Sequence, residues 1–161
     1  MPNWCENILT IEDCSPELDQ YIQDNGFSFE KMIPTPTDLL DGSGWYDWRV
    51  TNWGTKWDLD EREQQEVKEQ LLDEHSKYKA VFMTAWSPPC QAIAALSEQF
   101  PNDRFTLHYL EFGMGFAGTA HIWKGTSIEE DMDDNDEVNR FAADVFGYDY
   151  EELTDEGDDE P

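Results

Sequence analysis

Lys79-Ala80-Val81-Phe82-Met83-Thr84-Ala85-Trp86, followed at once by Ser87-Pro88-Pro89, is the stretch whose reading decides the fold. Its first eight residues are mostly apolar with a single charge at the leading end, which suits a strand. Ser87-Pro88-Pro89 then caps a helix whose anchors Pro89, Ile93, Leu96 and Phe100 recur at intervals of 4, 3 and 4, and Pro101 ends it. A strand that runs straight into an amphipathic helix is one β-α unit.

A second such unit lies upstream. Asn7 to Glu12 reads as a strand; Ser15 offers an N-cap with Pro16 at the first helical position; Leu18, Tyr21 and Ile22 form the buried stripe, and Gly26 stops the helix. Phe27 to Ile33 reads as extended. Pro34, Pro36, Gly42 and Gly44 mark a loop that leads into a Trp-rich segment, Trp45 to Asp58, where periodicity says nothing. Asp60 to Lys77 has only Val67, Leu71 and Leu72 as aliphatic anchors among charged and amide side chains. Propensity makes it an exposed helix, and a strand is the alternative. Downstream, Phe105, Leu107 and Tyr109 alternate on one strand, and Phe116 to Trp123 forms another beyond Gly113-Met114-Gly115, a hairpin. Asp136 to Phe146 places Val138, Phe141, Ala142, Val145 and Phe146 on one helical face with Gly147 as the stop. The end, Asp155 to Pro161, has a disordered composition. The order β-α-(insert)-β-α-β-β predicts an α+β fold, a two-layer sandwich with helices on one face of a mostly antiparallel sheet.

The 161 residues suit one domain, and 39% hydrophobic content is enough for one core. Thirty-seven acids against ten bases give a net charge of −27, which opposes direct binding to nucleic acid or to anionic membranes. Residues 127–161 contain sixteen acids and one base, Arg140. The apolar runs fall short of the roughly 20 residues that span a bilayer, and no leader pattern opens the chain, so a cytoplasmic location is expected. Cys5, Cys14 and Cys90 are odd in number and lack CxxC spacing, which points to reduced, partly buried thiols.

Four motifs carry a resemblance: Met1-Pro2-Asn3-Trp4-Cys5-Glu6-Asn7, Asn52-Trp53-Gly54-Thr55-Lys56-Trp57-Asp58, Thr84-Ala85-Trp86-Ser87-Pro88-Pro89 and Phe112-Gly113-Met114-Gly115-Phe116-Ala117-Gly118. In this order the chain resembles the YubB ferredoxin-like domain family, small proteins of bacteriophages and conjugative plasmids. The resemblance covers residues 1–126 and implies a ferredoxin-like core, with no activity attached. The charged stretch Asp60 to Lys79 and everything after Thr126 inherit nothing from it. The expected organisation is a ferredoxin-like domain over 1–126 with a Trp-rich insert at about 34–60. An acidic extension over 127–161 then carries an amphipathic helix at about 136–146 and a disordered tail.

The candidate ligand site gathers Asn3, Trp4, Asn7, Asn52, Trp53, Lys56, Trp57, Asp58, Trp86 and Glu111. Indole faces beside amides, an ammonium and carboxylates can hold a base, a sugar or a peptide. In the alternative, the indoles close the core and the Asn and Asp side chains pin irregular backbone. Glu129, Glu130, Asp131, Asp133, Asp134, Phe141 and Phe146 are candidates for a partner surface. Asp131 to Asn135 begins like a calcium loop, but Asp136 stands where the turn needs Gly and Ala142 where a bidentate Glu is needed, so no metal site is expected there. His75 sits in the charged stretch. His108 and His121 face each other if Met114-Gly115 is a two-residue turn, but a pair of histidines without a third ligand does not make a metal site. No phosphate loop, nucleophile elbow or Cys-His pairing occurs, so neither catalytic residues nor a cofactor are expected. The function expected first is that of a non-enzymatic acidic protein of a mobile element that binds a basic, nucleic-acid-handling host protein. A small-ligand site or enzyme at the Trp/Asn/Lys/Asp cluster, and an assembly module using the 138–146 helix, are the rivals.

Overall fold

A computed structural model of the chain describes residues 3–73 and 78–155. His75, and all of the C-terminal end beyond Asp155, lie outside the described residues. Five strands, β1 (Trp4–Glu12), β2 (Lys79–Ala85), β3 (Arg104–Glu111), β4 (Phe116–Trp123) and β5 (Thr126–Met132), form one sheet in the order β2-β1-β3-β4-β5. Every neighbouring pair is antiparallel. β2 and β3 are therefore parallel to each other with β1 between them, and α5 (Cys90–Gln99) joins them: a split β-α-β unit, built from the stretch quoted first. The expected α+β class with a ferredoxin-like sheet is what the chain adopts.

Side-chain alternation sends Cys5, Leu9, Ile11, Ala80, Phe82, Phe105, Leu107, Tyr109, Ala120 and Ile122 to one face of the sheet. There they meet Leu18 and Ile22 of α1 (Pro16–Asn25), Phe29 of α2 (Phe29–Met32), Trp53 of α3 (Gly44–Trp53), Val67 and Leu71 of α4 (Glu61–Leu72), and Ile93 and Leu96 of α5 in one core. α1 starts as its sequence dictates: the Ser15 hydroxyl accepts from Leu18 N at 3.2 Å and donates to buried Asp103 at 2.6 Å.

Three local readings are settled or corrected. Asp60 to Leu72 takes the helical alternative, because Asp60 caps α4 by accepting from Glu63 N at 2.8 Å and Val67 and Leu71 bury one face four residues apart. From α4, Gln70 hydrogen-bonds both ways with the Val81 backbone on the outer edge of β2, at 2.9 and 3.5 Å, which blunts that edge. Phe27 to Ile33 is not extended throughout, since Ser28 and Asp58 together satisfy the amides that open α2. The Trp-rich segment contains a helix, α3, which ends at Gly54 with φ of 93°; a Cβ there would come within 2.6 Å of the Pro88 carbonyl.

The acidic extension opens with a strand that sequence reasoning did not anticipate. β5 pairs with β4 from Trp123↔Thr126 to Ala117↔Met132, so the sheet runs past residue 126. α6 (Asn135–Phe146) then crosses to the face opposite the other helices, where Val138 and Ala142 pack on Leu110 and Ala117 with Met132, Phe141, Phe146 and, from α7 (Tyr150–Thr154), Leu153. Among the described residues no helix is long and apolar enough to cross a membrane.

Candidate functional site

The two tryptophan signatures meet. Trp4, at the start of β1, lies 6.3 Å from Trp57, ring centre to ring centre, and both stay well exposed, at 44% and 38%. The Lys56 ammonium sits 4.3 Å above the Trp57 ring and 5.6 Å from Tyr46, a cation-π clamp. Trp86 joins through the backbone: its N–H donates to the Asn3 carbonyl at 2.8 Å, and its φ of 70° is a value bulky residues seldom adopt. The loop after α3 is stitched to the same end of the sheet, with the Thr55 hydroxyl donating to the Ala85 carbonyl at 2.8 Å and the Ser87 hydroxyl to the Gly54 carbonyl. Gly113 closes this end. A Cβ on it would lie 2.5 Å from the Asn3 side chain and 2.8 Å from a Glu111 oxygen.

The other candidates face inward. Trp53 is fully buried, donates its indole N–H to the Ile33 carbonyl at 2.8 Å, and carries the Arg49 guanidinium 4.8 Å from its ring. Asp58 accepts from Ser28 Oγ, Phe29 N, Glu30 N and Leu59 N at 2.7, 2.9, 3.1 and 2.8 Å. Glu111 is buried and holds the β3-β4 turn by accepting from Gly113 N at 2.6 Å and Met114 N at 2.9 Å. Asn52 bonds back to Trp48 O within α3. Buried Asn7 donates to Cys5 O at 3.1 Å and Thr84 Oγ1 at 3.0 Å, and its own oxygen has no partner among the described residues. The cluster thus divides: Asn3, Trp4, Lys56, Trp57 and Trp86 form a surface, and Asn7, Asn52, Trp53, Asp58 and Glu111 hold it in place. Tyr46 and the neighbouring pair Phe112–Tyr148, 5.2 Å apart, were missed. No periodicity marked Tyr46, and the Tyr148 hydroxyl donates to Glu6 on β1 at 2.7 Å, 142 residues away in sequence.

The acidic candidates are exposed on β5 (Glu129, Glu130, Asp131) and just beyond it (Asp133, Asp134). Asp134 is the N-cap of α6, accepting from Glu137 N at 3.1 Å, and Asp131 accepts from the Tyr109 hydroxyl. Phe141 and Phe146 pack against each other at 5.9 Å and, partly buried, against the sheet cluster. The hairpin connection is the four residues 112–115, which pairs His108 with Thr119 and Thr106 with His121. The two imidazoles are therefore offset by two register positions instead of facing each other. Among the described residues no group of three His, Cys, Asp or Glu is arranged to hold a metal ion. Burial pushes the Cys5 and Cys14 thiols up to about 12 and raises Cys90 as well, so all three stay protonated and are poor nucleophiles at neutral pH.

A family model described as the ferredoxin-like domain in Api92-like protein matches residues 52–154. The chain belongs to that family. Comparison with curated proteins and with solved structures gives no match. The span matched to the Api92-like domain takes in Lys56, Trp57, Trp86 and Glu111, and it also takes in β5, α6 and α7. The match thus extends into the acidic segment as far as residue 154.

Proposed function

We propose that this chain is a non-enzymatic acidic binding protein of a phage or plasmid that occupies the nucleic-acid groove of a basic host protein. The single observation that carries the reading is the run of exposed carboxylates from Glu129 on β5 through Asp134 and Glu137 in the first turn of α6. They stand on paired strand and capped helix, so their spacing is preset and little ordering entropy is lost on binding. Arg140, bound to Asp136 at 2.8 Å, is the one cation of residues 127–161. A groove lined by Lys and Arg, built to meet the closely spaced phosphates of a nucleic acid, is the surface that gains most from carboxylates set close together, Glu129 and Asp131 on one face of β5 and Glu130 on the other. Resemblance to the YubB family supports the mobile-element setting by association.

The test is capture from host lysate with the full chain and with a variant in which Glu129, Glu130, Asp131, Asp133 and Asp134 become Gln or Asn. Asn at 134 keeps the helix cap and Asn at 131 keeps an acceptor for Tyr109, so packing is spared while charge is lost. The expected partner is basic, and binding weakens in the variant and as salt shortens the Debye length from roughly 10 Å at 0.1 M to 3 Å at 1 M. An acidic partner, or binding indifferent to both changes, refutes the reading.

The exposed Trp4–Trp57 pair with Lys56 favours a second reading, a small-ligand site, which a tryptophan fluorescence response abolished by Trp57→Ala would support. For the assembly reading, the part of the α6 face that remains is Phe141, Val145 and Phe146, which are only partly buried, since Val138 and Ala142 pack within the molecule.

A further inference from the structure

We propose that the groove on the α6 side of the sheet, at the end that α6 leaves open, binds a small anion carrying a flat ring, such as a nucleoside monophosphate or an aromatic carboxylate. The groove measures about 570 Å³ and lies over β3, β4 and β5, within the roughly 300–1,000 Å³ usual for small-molecule sites. Its distinguishing feature is charge. In a chain of −27, it gathers Arg104, Lys124 and the His121 imidazole against a single carboxylate, Glu12. Neither Arg104 nor Lys124 forms an ion pair among the described residues; instead both stand on the Trp123 ring, at 4.6 and 4.4 Å from its centre.

Because neither cation has a carboxylate partner to give up, an anion in the groove gains charge-assisted hydrogen bonds from them without breaking an ion pair. The arrangement is held before any ligand arrives, since the Trp123 indole N–H donates to the Pro101 carbonyl at 2.9 Å and fixes the ring. Beside it, His121 and Ile128 are register partners on the same face and offer a flat, partly apolar floor for a ring. The hydroxyls of Thr106 and Thr126 border the groove and can orient polar substituents. Ring and anion are thus read by different parts of one groove.

The experiment is a titration of the full chain, isotope-labelled for NMR, at 0.15 M salt with AMP, benzoate, adenosine and inorganic phosphate. AMP or benzoate is expected to shift the Trp123 indole N–H and the Thr106 and His121 amides saturably, with adenosine and phosphate binding at least tenfold more weakly. A response to AMP without benzoate assigns a nucleotide, and the reverse assigns an aromatic carboxylate. Arg104→Gln with Lys124→Gln should weaken the anionic probe at least tenfold without moving the unfolding midpoint. The proposal is overturned if neither ring-bearing anion shifts these signals. It is equally overturned if adenosine or phosphate alone binds as tightly as AMP and benzoate, or if the double variant binds unchanged.

Discussion

Replacing Asp58 with Ala should unfold this domain far more readily, although Asp58 sits within a motif that reads as a ligand site. Its two oxygens each serve two donors: Oδ1 accepts from Phe29 N and Leu59 N, and Oδ2 from Ser28 Oγ and Glu30 N. Ala strips the partner from two backbone amides and one hydroxyl at the start of α2, and from the Leu59 amide beside it. Loss of a helix cap alone costs about 1 kcal/mol, and a partly buried donor left unsatisfied adds about 1–3 kcal/mol, discounted because water can reach this half-buried site. We expect about 3 kcal/mol in total, which for a domain of this size lowers the midpoint temperature by roughly 6–12 °C. Asp58→Asn separates the terms. Asn keeps the oxygen that serves Phe29 and Leu59 but turns an amide toward the Glu30 N–H, so it should cost about half as much. Urea unfolding followed by circular dichroism measures both, with Lys56→Gln as a surface control expected to stay within about 0.5 kcal/mol of the parent. If Asp58→Ala also stays within that margin, the carboxylate is not holding the loop, and its inward role is wrong.

Gly118→Ala should be poorly tolerated, because the new Cβ would lie 2.5 Å from the Tyr109 hydroxyl and 2.7 Å from the Glu130 carbonyl. We expect a cost of about 1–3 kcal/mol and a changed near-ultraviolet signal as Tyr109 leaves Asp131; parent-like stability would show that the β4-β5 pairing is looser than described. His108 titrates below its ordinary value, chiefly because it is partly buried and then because His121 and Lys79 lie nearby. The folded chain therefore binds its proton less readily than the unfolded chain. The stability tied to the neutral imidazole is complete above the unfolded value of about 6.5 and is lost as pH falls through the folded one. His108→Gln should remove this loss between pH 8 and pH 5, and an identical pH profile in parent and variant would count against it.

The first four strands and the two β-α units were legible because alternation and anchor spacing are local signals. Phe105, Leu107 and Tyr109, or Ile93 and Leu96, announce their buried faces within a few residues. α2 and α3 were not legible. Four-residue α2 has no periodicity to display, and the carboxylate of Asp58 that holds it lies about thirty positions away. β5 was hidden for a different reason. Its exposed residues are acids, Glu129, Glu130 and Asp131, which disfavour strands by propensity, and only pairing with β4 makes it one. The Trp/Asn motif could be placed but not divided: nothing in the residues shows that Trp53 finds the Ile33 carbonyl and is buried, while Trp57 finds Trp4 and Lys56 and stays at the surface.

The distribution of the few cations ties these observations together. Arg49, Lys56, Arg104, Lys124 and Arg140 all stand over aromatic rings, whereas among the described residues only Arg49, Arg62 and Arg140 pair with a carboxylate. With 37 acids to choose from, ion pairing was not hard to arrange. Placing Lys56, Arg104 and Lys124 on indoles has two physical consequences at once. Apart from Asp136, which Arg140 pairs, the described β5 and α6 carboxylates keep their negative field. The aromatic spots stay locally positive on a chain whose overall charge repels anions, so anything anionic that binds must do so at short range, by contact with those rings and cations and not by long-range attraction.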